Sequence, residues 1–184
     1  MSDFRITPIE ILVVLICLGL ISVLILPALL ISREESRSVT CQSHQVKLVL
    51  AIREPNDPLS VLDLTNWPQL LASRLSDGAI IEHCPSDDRQ PPAAASYGIN
   101  PQIVAFNDED ASRISFLDFD DMVVNLMEQQ LIGHWNQSVA PRHFDLVNVV
   151  FYDSHVEMKE VAEISPGTTN RLSRLWLSGS VAGK

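Results

Sequence analysis

Between Ile9 and Ile31 the chain is apolar at nearly every position, broken only by Glu10, Gly19, Ser22 and Pro27. As a helix these residues rise about 34 Å, against a hydrocarbon core of about 30 Å. The pattern predicts a transmembrane helix over residues 6–31. From Ser32 the spacing becomes amphipathic. Val39, Gln42, Val46, Val49 and Leu50 share one helical face with Ile52 beside them, while Arg33, Glu34, Glu35 and Arg37 suit a solvated surface with i,i+3 and i,i+4 pairs. The helix is therefore expected to continue over residues 32–53, about 45 residues and about 68 Å in all, until Pro55 and Pro58 end it.

The remainder, 54–184, reads as shorter elements. Asn66 to Gly78 predicts a helix, with Asn66 as cap, Pro68 in the first turn and Gly78 as stop. The stretch AIIEHCPSDDRQPPAAAS predicts a short strand followed by a Pro-rich loop, and Ser96–Asn100 predicts another strand. Ile114–Phe116 reads as extended, and Val123–Leu126 as extended or helical. Val147–Tyr152 is apolar and rich in β-branched and aromatic residues. Asp153 and Ser154 are turn formers, and Val156–Val161 alternates again, so a hairpin is expected. A short amphipathic piece is expected around Leu172–Leu177. The whole predicts an α+β protein: a long N-terminal helix, half transmembrane and half amphipathic, then a small domain with an antiparallel sheet.

Charge sharpens the class. The net charge is −10, and because residues 1–52 balance, all of it falls on the C-terminal domain. An acidic domain without a basic stripe argues against nucleic acid and against docking on anionic lipid. A cleavable signal has an apolar core of about 7–15 residues and a small-x-small site, whereas this run is longer and ends PALLIS. No G-x-S-x-G, P-loop, H-E-x-x-H or paired C-x-x-C occurs, so no enzyme and no cofactor are expected. Of three cysteines, Cys17 lies in the apolar run as a small apolar residue. Cys41 and Cys84 could pair if the domain is extracytoplasmic; the sequence leaves both states open.

Five stretches carry a resemblance. ITPIEILVVL with LPALLISREESRSVTCQ looks like the N terminus of bacterial type IV pilins and type II secretion pseudopilins, with Thr7, Ile9, Glu10 and Pro27 at the expected places. His143 and Asp153, with nine residues between them in RHFDLVNVVFYDSHVE and His155 after them, resemble the H-x9-D-G-H element of a large pseudopilin-like family. C-P-S-D at Cys84–Asp87, S-Y-G-I-N at Ser96–Asn100 and T-C-Q-S-H-Q-V-K at Thr40–Lys47 are similar to that family's other motifs. The resemblance implies a pilin-like fold and a leader over residues 1–5 cut by a prepilin peptidase before Ile6. It also implies helix-to-helix self-association or assembly with other pseudopilins, a Glu10 that meets a neighbour's N-terminal amine, and a kink at Pro27. Location in the bacterial inner membrane, with the C-terminal domain extracytoplasmic, follows from it too. Departures are Arg5 where the family has Gly, Ile6 for Phe, Pro8 for Leu and Ser154 for the Gly of D-G. Arg5 motivates a second expectation, an unprocessed membrane-anchored binding module that does not polymerise.

Two metal readings are weighed against simpler ones. His143, Asp153 and His155 offer ligands, but Asp153 is a turn acceptor and the expectation is no metal. Asp108, Asp110, Asp118, Asp120 and Asp121, with Glu109, offer calcium-type oxygens but lack D-x-D-x-D-G order, and a solvated acidic loop is expected.

Overall fold

A computed structural model describes residues 7–53, 61–75, 83–89, 95–105, 111–124, 131–165 and 174–177. The chain divides into two compact units, Met1–Ser36 and Arg37–Lys184. Helix α1 runs from Pro8 to Ile52 with Pro27 inside it. In the first unit every described residue through Arg33 is exposed, including Leu20, Leu24 and Leu30. The segment is long and apolar enough to cross a membrane.

The globular unit begins inside α1. Its buried stripe is Ser38, Cys41, Gln45, Leu48, Val49, Ala51 and Ile52, whereas Val39 and Leu50 are exposed. The expected face was thus rotated: two polar residues, Ser38 and Gln45, belong to the inward seam because the sheet supplies them with polar partners. A 3-10 turn, Val61–Asn66, leads into α2, Trp67–Arg74. This helix is shorter than the expected Asn66–Gly78. Asn66 makes no side-chain cap bond, and Leu75 is already extended at φ −90° and ψ 114°. Gly78 and residues 79–82 of the expected strand lie outside the described residues, and His83 and Cys84 are not in a strand.

Four strands form the sheet: β1 Tyr97–Ile99, β2 Ile114–Asp118, β3 Val147–Phe151 and β4 Val156–Lys159. They pair antiparallel in chain order, with a register shift between Ile114 and Phe116. Val123 makes an isolated parallel bridge to Ile99; Asn125 and Leu126 lie outside the described residues. α3, Leu131–Ser138, intervenes between β2 and β3. The alternation expected to Val161 stops at Lys159. Glu160 and Glu163 form a capping box, and α4, Val161–Ile164, takes the place of the strand's end.

Side-chain alternation sends the sheet's two faces into two cores. Phe116 and Val150 join Leu48, Val49, Ile52, Trp67, Leu71, Tyr97 and Ile99. Leu117, Val147, Val149 and Phe151 join Phe119, Trp135, Ile164 and Trp176. Both faces of β3 are covered, and all five of its residues are buried. In the expected tail piece residues 174–176 are helical, and Trp176 is buried and donates from Nε1 to the Ile164 carbonyl at 2.8 Å. Leu172 lies outside the described residues.

Candidate functional site

At the N-terminal end of α1, Thr7 and Glu10 cap the helix reciprocally. The Thr7 N–H donates to Glu10 Oε2 at 2.7 Å, and the Glu10 N–H donates to Thr7 Oγ1 at 3.4 Å. T-P-I-E is thus a capping box with proline at the first helical position, where a missing N–H is harmless. The spacing was legible in the sequence, and it gives Glu10 a partner within its own chain. Pro27 withdraws one N–H from the helical ladder. Arg5 and Ile6 lie outside the described residues.

A buried polar seam lies where α1 from Ser38 onward meets the sheet. On β2 and β3, Phe116, Asp118, Asn148 and Val150 share the face toward α1 by strand parity. Asp118, Asn148 and Gln45 are fully buried. Gln45 donates from Nε2 to Asp118 Oδ1 at 2.9 Å, and the Asn148 N–H donates to Asp118 Oδ2 at 2.9 Å. Gln42 donates from Nε2 to Asn148 Oδ1 at 3.0 Å. Gln45 Oε1 and Asn148 Nδ2 have no partner among the described residues. Burial pushes the Asp118 carboxyl up to about 7, against the pull of the Asn148 N–H, the Arg142 charge and Gln45.

The cysteines and His143 complete the seam. Cys41 and Cys84 form a disulfide with Cα atoms 5.3 Å apart, across 43 residues of sequence. Cys84 Sγ lies 3.2 Å from His143 Nε2, which is 3.9 Å from Asp118 Oδ2, and His143 is fully buried. Sulfur, nitrogen and carboxylate oxygen from Cys41, Cys84, Asp118 and His143 all lie within 4.8 Å of one another.

Beside the seam, Asp87 collects Arg89 Nε at 3.1 Å and the Ser96 hydroxyl at 2.5 Å on Oδ2, with Arg142 at 3.4 Å. Burial pulls the Asp87 carboxyl up, but Arg89, Ser96 and Arg142 outweigh it and hold the group well below the usual carboxylate range. Arg142 also bonds Asp120 Oδ1 and the Ser96 carbonyl, at 2.5 and 2.7 Å. C-P-S-D, S-Y-G-I-N, R-H and the cysteine of α1 therefore meet in space.

The His143, Asp153 and His155 grouping does not form. His143 precedes β3 and Asp153 follows it, so about 17 Å of strand separates them. Asp153 and His155 do meet, at the exposed hairpin end, where Asp153 Oδ1 accepts the His155 N–H at 3.1 Å and its Nδ1. Ser154 sits between them at φ 75°. The acidic cluster is likewise dispersed. Asp118 is interior, Asp120 serves Arg142, and Asp121 accepts the Ser138 hydroxyl at 2.6 Å. The expected solvated loop is thus corrected for Asp118, which turns inward because Gln45 and Asn148 supply donors. Asp108 and Asp110 lie outside the described residues. No family model matches the chain, and neither does any curated protein or solved structure.

Proposed function

We propose that the chain is a pseudopilin-like, single-span structural subunit of the bacterial inner membrane, with its acidic domain extracytoplasmic. The carrying observation is the exposed apolar first half of α1, from Ile9 to Ile31. Such a surface is stable in lipid or against other apolar helices, and hardly in water. The disulfide supports an oxidising compartment for the globular unit. In this reading the helices of several subunits pack side by side in a type II secretion or type IV pilus-like assembly, and the role is mechanical rather than catalytic.

A second reading is supported by the capping box. Glu10 is bonded by Thr7 in its own chain, so it does not require a neighbour's amine, and an anchored binding module that never polymerises has no unsatisfied group at that position. The N-terminal peptide mass of protein extracted from native membranes separates the two. A chain beginning at Ile6 with a methylated amine is expected for the subunit. A chain retaining Arg5, in which Arg5→Gly restores cleavage, overturns it in favour of the anchored module.

A further inference from the structure

Three groups outside the helix reading draw attention: the hairpin end with Asp153 and His155, the Asp87, Arg89 and Arg142 network, and the four-residue seam at the disulfide. The first is solvated and local. The second satisfies its own charges, each carboxylate facing an arginine. The third holds more ligating atoms than its disulfide uses.

We propose that Cys41, Cys84, Asp118 and His143 form a zinc site when the disulfide is reduced, so that the same four residues have a covalent state and a metal-bound state. Zinc takes thiolate, imidazole and carboxylate in a tetrahedron, with bonds of about 2.0–2.3 Å. The edges of that tetrahedron are about 3.3–3.8 Å by the same bond lengths. Two edges already stand near these values: Cys84 Sγ to His143 Nε2 at 3.2 Å, and His143 Nε2 to Asp118 Oδ2 at 3.9 Å. The change required is separation of the two sulfurs once their bond is broken, and the Cα separation of 5.3 Å keeps both within reach of one ion.

The surroundings fit a bound cation. All four residues are buried, so an ion there is shielded from competing water. Asp118 is oriented by donors from two sides, Gln45 and the Asn148 N–H. Such outer partners fix a ligating carboxylate and commonly change metal affinity by about 10–100-fold. Gln45 Oε1 and Asn148 Nδ2, both buried and without a partner among the described residues, belong to the two residues that hold the same carboxylate.

The chemistry balances with a dithiol reductant. It supplies two electrons and its two protons and becomes a disulfide, while the Cys41–Cys84 bond breaks to two thiols. Zinc binding then releases both thiol protons to solvent, leaving two thiolates on the ion. The proposal does not depend on filament assembly.

The test uses the full chain in detergent micelles, with cobalt as a spectroscopic stand-in for zinc. A phosphine reductant opens the disulfide, taking up oxygen from water to become the phosphine oxide. The reduced chain is expected to bind one cobalt ion with a thiolate charge-transfer band and tetrahedral visible bands, zinc is expected to displace it, and the oxidised chain is expected to show neither. His143→Gln and Asp118→Asn should each weaken binding about tenfold or more. If the reduced chain loses its fold, zinc should restore the circular dichroism of the oxidised form. A reduced chain that binds no ion, a spectrum without a thiolate band, unchanged affinity in His143→Gln, or a fold that zinc does not restore would each overturn the proposal.

Discussion

Replacing Ser154 by glycine should stabilise the globular unit. Ser154 adopts φ 75°, in the left-handed region, and its N–H donates to the Phe151 carbonyl at 2.9 Å, so the hairpin between β3 and β4 cannot relax without losing that bond. A Cβ in this region costs about 1 kcal/mol or somewhat more, which glycine escapes. The Ser154 hydroxyl is buried without a partner among the described residues, and an unmet hydroxyl costs about 1 kcal/mol more. Against this, glycine gives the unfolded chain extra freedom, taking back about 1 kcal/mol or less. The net gain is about 1 kcal/mol, or about 3 °C for a unit of this size. Ser154→Val also removes the unmet hydroxyl but retains the Cβ and adds branching, which the left-handed region tolerates worst, so its midpoint should lie below that of Ser154→Gly. Thermal unfolding of both variants followed by circular dichroism decides the matter. A lower midpoint for Ser154→Gly, or a Ser154→Val as stable as Ser154→Gly, would show that the turn is not strained at this residue.

Two further outcomes follow from the packing and the charges. A Cβ at Gly98 would meet Phe119 Cβ and Cδ1 at 2.8 Å, so Gly98→Ala should cost about 1–3 kcal/mol as overpacking; an unchanged urea midpoint would refute the close approach of β1 and Phe119. The folded-state carboxyl of Asp87 lies below its unfolded value of about 3.9, so its contribution is complete above that pH and is lost as pH falls further. Acid titration of stability should therefore be steeper in wild type than in Asp87→Asn below about pH 4, and parallel curves would contradict the arginine pairing.

The hairpin was legible because Val147–Phe151 and Val156–Lys159 alternate on either side of turn formers, and β1 and β2 because each is a short apolar run between breakers. The face of α1 was not. An apolar reading selects Val39 and Leu50, yet Ser38 and Gln45 point inward, since the hydrogen bonds they meet come from Asp118 and Asn148, more than 70 residues later. The same distance in sequence hid the site. His143 meets Cys84 across 59 residues, and no local pattern announces such a meeting. The amphipathic piece around Leu172–Leu177 was legible, but the burial of Trp176 within it was not, because its partner is the Ile164 carbonyl of α4, where a strand's end was expected.

The disulfide also governs how the globular unit would bear a pull. Cys41 lies four residues after Arg37, where that unit begins on α1. Tension entering there and leaving at the C terminus crosses directly from Cys41 to Cys84. The 43-residue span between them, which carries Leu48, Trp67 and Leu71, is removed from the line of force. Fully stretched, the oxidised chain is shorter than the reduced one by about 150 Å, at about 3.5 Å per residue. A chain hauled or sheared through its helix would thus keep that part of its core slack while the rest of the domain takes the load.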